Sequence, residues 1–86
     1  MKITAALTRE QNVEFAVVLV KPTVMNSTFM ANQTRQGLQG FFPQLPIVLA
    51  SQNSRGQFSY QGRNDLVKFL AAINPARLPW KEYTFS

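Results

Sequence analysis

The chain has 86 residues, a length that is typical of one small domain and too short for two. Of these residues 45% are hydrophobic, which is ordinary for a soluble domain. It contains neither histidine nor cysteine, and this excludes disulfides, thiol nucleophiles, Cys/His zinc sites and histidine acid–base catalysis. Nine Lys and Arg against four Asp and Glu give a net charge of +5, which lowers the cost of approaching anionic partners such as nucleic acid. Because no two of the basic residues are adjacent, we interpret this charge first as a means of keeping the protein soluble.

Two strands are predicted at the start of the chain. The side chains of residues 2–8 alternate between the two faces of a short strand, with Ile3, Ala5 and Leu7 on one face. The polar residues 9–12 predict a turn. Residues 13–20 continue into an unbroken apolar, β-branched run, which is typical of a central strand covered on both faces.

A helix is predicted next, capped by Asn26 or Ser27 and running to about Phe42. We expect its inward face to be a thin apolar stripe, made of Phe29, Met30, Leu38, Phe41 and Phe42. Residues 47–50 then form a second buried strand, parallel to the central one because the helix crosses between them.

A hairpin follows, because residues 53–56 are turn formers that end in Gly56, where a positive φ is expected. Residues 57–61 form the antiparallel return strand, which Gly62 breaks. The clearest helix comes next and is expected to be capped by Asn64. Its apolar residues recur with helical spacing at Leu66, Phe69, Leu70 and Ile73.

Residues 76–86 are too apolar to extend freely into water, so we expect an extended tail packed on the domain or on a partner. The prediction is therefore a single α/β domain over residues 1–86. It has one mixed sheet in the order β-β-α-β-β-α, followed by the extended C-terminal tail.

From residue 41 the sequence runs Phe-Phe-Pro-Gln-Leu-Pro-Ile-Val-Leu-Ala, followed by Gly56, Gly62 and the amphipathic helix. This pattern resembles the C-terminal half of the thioredoxin-like superfamily. The resemblance implies a cis-proline at Pro46 and structural glycines at Gly56 and Gly62. An ordinary trans Pro46 at the start of a strand is the alternative. Redox activity is not implied, because the Cys-x-x-Cys motif is missing and residues 21–27 stand in its place.

No catalytic, cofactor or metal site is visible in the sequence. The four acids are scattered, so no carboxylate pair falls within one predicted element. No histidine is present to activate a serine, and no glycine-rich phosphate motif occurs. We therefore predict a protein that is not an enzyme and that uses no cofactor and no metal.

Two groups of residues are candidate partner contacts. Arg55, Tyr60 and Arg63 would form a stacking platform for a nucleic acid, or else only an exposed hairpin with an aromatic that covers the sheet. Trp80 and Lys81 belong to the aromatic tail, which either clamps its own core or adds to another subunit. We prefer the structural alternative in both cases.

No segment has the pattern of a secretory signal or a membrane span. The longest apolar run, residues 15–20, is far below the roughly 18–20 residues that cross a bilayer. We therefore expect a cytoplasmic, redox-inactive interaction module with no membrane contact. It would present the 21–27 loop with Lys21, the 52–63 hairpin and the tail to a protein partner, a second copy included. A weak basic nucleic-acid-binding domain is the alternative.

Overall fold

Five strands form one mixed sheet in the computed structural model, which describes residues 2–85. Met1 and Ser86, the last residue of the predicted tail, lie outside the described residues. Across the sheet the strand order is β4-β3-β2-β1-β5. The strands are β1 (Lys2–Glu10), β2 (Val13–Leu19), β3 (Ile47–Gln52), β4 (Phe58–Gln61) and β5 (Trp80–Thr84). The predicted α/β class with a single mixed sheet is confirmed.

Two α-helices, α1 (Thr28–Gln39) and α2 (Asn64–Ala71), cover opposite faces of this sheet. Side chains alternate along β2, so that Ala16 and Val18 face α1 while Phe15 and Val17 face α2. This two-sided burial places β2 at the centre of the sheet, as its apolar run predicts. Short 3-10 helices at Pro22–Asn26 and Pro75–Arg77 complete the chain.

The first hairpin is tighter than the sequence predicts. Gln11 and Asn12 have φ values of 49° and 67°, the positive values that a two-residue turn of this kind requires. Because the turn is so short, β1 continues to Glu10 instead of ending at residue 8. Arg9 lies opposite Glu14, and its Nη2 donates to Glu14 Oε1 at 3.1 Å. The predicted turn over residues 9–12 is thus too long.

The remaining strand pairings follow from the connections. β2 and β3 are parallel and joined through α1, whereas β3 and β4 form the antiparallel hairpin. Gly56 has a φ of +80° in the hairpin loop. At Gly62 a Cβ atom would lie 3.2 Å from Val48 Cα, so the chain passes close to β3 where β4 ends.

Helix ends differ from the predicted ones. Ser27 caps α1 by accepting a hydrogen bond from Met30 N, but the helix ends at Gln39 and not near Phe42. Gln39 Nε2 donates to the Phe42 and Leu45 carbonyls, at 2.7 Å each, and so pins the loop after the helix. The predicted Asn64 cap is wrong, because Arg63 takes the cap position without a side-chain bond.

The tail adds a strand to the sheet edge. β5 pairs antiparallel with β1, with Trp80 opposite Ala6 and Thr84 opposite Lys2. Pro46 precedes β3, and no cis peptide bond occurs among residues 2–85. The trans alternative therefore holds at Pro46, and the cis-proline implied by the thioredoxin-like resemblance is wrong.

Candidate functional site

The carboxyl ends of the parallel strands β2 and β3 lie at the same edge of the sheet. Open α/β sheets most often bind ligands at this edge. β2 leads there into the Pro22–Asn26 3-10 helix and then into the first turn of α1. We call this region the α1 entry surface and define it by Lys21, Pro22–Asn26, Phe29 and Met30. It contains the predicted contact Lys21, which is exposed.

The backbone of the α1 entry surface is anchored to the domain. Val24 and Met25 pack against the core on the α1 side of the sheet, and Val24 N donates to Lys21 O at 3.0 Å. Ser27 holds the first turn of α1 through its side-chain cap and through Ala31 N, which donates to Ser27 O at 2.9 Å. A side chain on this segment is therefore displayed from a fixed position, and little ordering is needed when it binds.

Phe29 and Met30 are the most exposed large apolar side chains among the described residues, with 73% and 47% of their surfaces accessible. The predicted stripe placed both in the core, and that assignment is wrong. Phe29 and Leu38 are nine positions apart, which at 3.6 residues per turn places them about 180° apart around the helix. Leu38 and Ala31 face the sheet, so Phe29 points to solvent. The spacing of Phe29 and Leu38 in the sequence is therefore enough to predict that Phe29 is exposed.

The second hairpin presents Arg55 on a rigid tip. Asn53 Oδ1 accepts from the backbone N–H groups of Arg55 and Gln57, at 2.9 Å each. Gly56 N donates to Asn53 O at 3.0 Å and closes the turn. Arg55 itself is exposed, and no hydrogen bond or ion pair of its side chain is among those seen in residues 2–85.

The structure does not assemble Arg55, Tyr60 and Arg63 into one platform. Arg55 lies at the hairpin tip and Arg63 follows the other end of β4. Tyr60 lies between them on the α2 side, stacked on Phe58 with ring centroids 6.2 Å apart. Arg63 donates from Nε and Nη2 to the Asp65 carboxylate, at 2.9 and 2.7 Å. Tyr60 is therefore partly buried against the core, and Arg63 is already paired with Asp65.

These contacts shift the ionisation of three groups. Hydrogen bonding to Arg63 lowers the pKa of Asp65, and the same bond raises the pKa of Arg63. Burial raises the pKa of Tyr60, since its hydroxyl is enclosed and has no hydrogen-bond partner among the described residues.

Replacing Tyr60 by phenylalanine should raise the free energy of unfolding by about 1 kcal/mol, because a buried hydroxyl without a partner is removed. The raised pKa has a matching consequence at high pH. Because burial disfavours the ionised hydroxyl, the wild type loses stability as the pH rises above about 10, the unfolded value, through the folded pKa, whereas Tyr60→Phe does not. Urea unfolding at pH 7 and pH 10.5 measures both effects, with Tyr83→Phe as control. A destabilised Tyr60→Phe protein would show that the hydroxyl has a partner.

The aromatic residues of β5 pack on both faces of the sheet. Trp80 lies on the α2 side, where it stacks on Phe58 at 6.2 Å and donates from Nε1 to Pro75 O at 2.9 Å. Tyr83 lies on the α1 side, edge-on to Phe42 at 5.8 Å. Lys81 remains exposed, with its Nζ 5.5 Å from the centre of the Tyr83 ring.

No family model matches the chain, and neither a curated protein nor a solved structure is significantly similar to it. The thioredoxin-like relationship thus stays a prediction. Within residues 2–85, no group of three or more acidic residues is arranged to hold a metal ion. Over the same range, neither helix has the length and apolar character needed to cross a membrane.

Proposed function

We propose that the protein is a non-enzymatic interaction module, and that it binds a protein partner through the α1 entry surface. The observation that carries this proposal is the exposure of Phe29, 73% of whose surface is accessible on an anchored helix end. Aromatic and methionine side chains are enriched in protein interfaces, where a few of them supply most of the binding energy. The neighbouring Met30 is an adaptable apolar contact of the same kind.

The charge distribution indicates the chemistry of the partner. No acidic residue occurs between Glu14 and Asp65, and this half of the chain carries four cations, namely Lys21, Arg35, Arg55 and Arg63. Lys21 lies within the α1 entry surface. A partner with an apolar depression and an acidic rim would be complementary to it. A second copy of the chain is disfavoured, because each copy carries a charge of +5.

Nucleic-acid binding is the less favoured function, because the ring of the candidate stacking residue is partly buried against its neighbours. Tyr60 is packed beside Phe58, and its hydroxyl is enclosed. Binding carried by phosphate contacts would weaken steeply with salt, whereas an apolar protein interface would change little. A cytoplasmic location belongs to the same proposal and rests on the sequence alone.

Substituting Phe29 by serine should abolish most partner binding without harming the fold, because the side chain is exposed. The wild-type chain, Phe29→Ser and the control Leu7→Ser serve as baits in a nuclease-treated extract of the source cells. Leu7 is also an exposed apolar residue, at 41%, but lies on β1 outside the α1 entry surface. We expect one acidic protein that both wild type and Leu7→Ser retain and that Phe29→Ser loses at least tenfold.

The captured protein must then bind the purified chain directly, with the same dependence on Phe29. Equal capture by all three baits would contradict the α1 entry surface as the binding site. Loss of all binding after nuclease treatment would instead support the nucleic-acid alternative. Self-association of the wild type that Phe29→Ser removes would identify a second copy as the occupant.

A further inference from the structure

A second site lies at the other end of α1. A groove of about 330 Å³ separates the C-terminal half of this helix from the chain around the start of β3 and the end of β4. Its lining residues are Arg35, Gln39, Pro46, Ile47, Gly62 and Arg63. This volume is at the small end of the range for ligand pockets, so it suits a compact chemical group. Two of the six residues are arginines.

Arg35 is held in place by neutral groups. Its Nη1 donates to Gln61 Oε1 at 2.7 Å and its Nη2 donates to Asn32 Oδ1 at 3.0 Å. Gln61 Nε2 also donates to Asn32 Oδ1, at 3.1 Å, which closes a triangle of partly buried side chains. The guanidinium therefore has a fixed orientation before any ligand arrives, and these two bonds leave three of its five N–H groups for other acceptors.

The charge of Arg35 is not balanced by these contacts. The ion pairs formed among residues 2–85 involve Lys2, Arg9 and Arg63, and none includes Arg35. Arg63, the other cation of the groove, is exposed and shares its charge with Asp65, which does not line the groove. The groove thus has one uncompensated positive charge, and the second guanidinium at its wall belongs to an exposed ion pair, whose attraction is screened by water and salt.

We propose that this groove binds a phosphate group, either free or as a small phosphomonoester. A phosphate offers several acceptor oxygens and a charge of about −1.5 to −2 near neutral pH, which two guanidiniums match better than a single one would. Arginine forks bind such oxygens with paired, charge-assisted hydrogen bonds. Arg35 supplies the fixed fork, and Arg63 turns from Asp65 toward the ligand.

Amide and side-chain NMR of the full chain tests the proposal with inorganic phosphate, methyl phosphate and acetate, each at constant ionic strength. We expect saturable shifts at the Arg35 Nε–H and at the Gly62 and Arg63 amides, with a Kd of about 1–10 mM for either phosphate. Shifts with methyl phosphate as strong as those with inorganic phosphate would assign the site to a phosphomonoester. Stronger shifts with inorganic phosphate would assign it to the free ion.

Variants separate this site from general charge effects. Arg35→Gln should weaken phosphate binding about tenfold, the loss expected for one charge-assisted hydrogen bond. Arg35→Lys should give an intermediate loss, because charge is kept without the fork. Arg77→Gln, which removes the same charge from an exposed position, should leave binding within twofold of the wild type.

Three results would overturn the proposal: shifts that do not saturate in the wild type, equal shifts with acetate, or equal losses in Arg35→Gln and Arg77→Gln. The first two are measured on the unmodified chain and do not depend on the folding of a variant. The groove and the α1 entry surface lie at opposite ends of α1, so Phe29→Ser should keep its phosphate binding. Failure of one proposal therefore leaves the other standing.

Discussion

Replacing Leu70 by alanine should lower the free energy of unfolding by about 2–5 kcal/mol, the usual loss for a leucine buried in a core. Leu70 has no accessible surface and packs in the core on the α2 side of the sheet, together with Phe15, Val17 and Leu66. A domain of this length is typically stable by about 4–13 kcal/mol, so this one change removes a large part of the total.

Urea unfolding followed by far-UV circular dichroism measures this loss, with Lys68→Ala as the matched control. Lys68 lies on the same helix but is exposed, and its replacement should change the free energy of unfolding by less than about 0.5 kcal/mol. A similarly small effect of Leu70→Ala would contradict the packing of α2 on the sheet.

Replacing Trp80 by alanine should destabilise the chain by about 3 kcal/mol, at the low end of the range for large aromatics because Trp80 is half-buried. The change removes the stacking contact with Phe58 and the hydrogen bond from Nε1 to Pro75 O. It also weakens the start of β5, where Trp80 pairs with Ala6. The loss should be independent of protein concentration, because these contacts lie within one chain.

Unfolding at several protein concentrations, together with sedimentation, checks this expectation. Lys81→Ala is the control, since Lys81 is exposed on the same strand and should change stability by no more than about 1 kcal/mol, the upper value for an exposed contact of its kind with Tyr83. If Trp80→Ala instead kept the stability of the single chain and removed only an oligomer, the tail would be an intermolecular contact.

Local sequence patterns were sufficient to predict the elements whose apolar residues can be buried in only one way. The apolar run of β2 indicates burial on both faces, and the spacing of Leu66 and Leu70 indicates which side of α2 is buried. The partner of β5 could not be predicted in this way. Pairing Trp80 with Ala6 joins the two ends of the chain, and the residues of β5 do not encode which sheet edge they join.

The candidate sites were harder to predict for a related reason. Arg55, Tyr60 and Arg63 are close in sequence, but a strand separates the two arginines and turns the tyrosine toward α2. Conversely, Arg35 and Gln61 are 26 positions apart and meet only because α1 packs against β3, which pairs with β4. The exposure of Phe29 could have been predicted from the sequence, because the spacing of Phe29 and Leu38 on one regular helix fixes the angle between them.

The affinity of the purified partner for the wild type, Phe29→Ser and Leu7→Ser, at low and at physiological salt, tests the proposed interaction most directly. We predict that Phe29→Ser weakens binding about 30-fold, the effect of a central aromatic contact, while Leu7→Ser and salt change it less than threefold. A binding constant that falls steeply with salt and is the same for all three chains would contradict the α1 entry surface as the site of function.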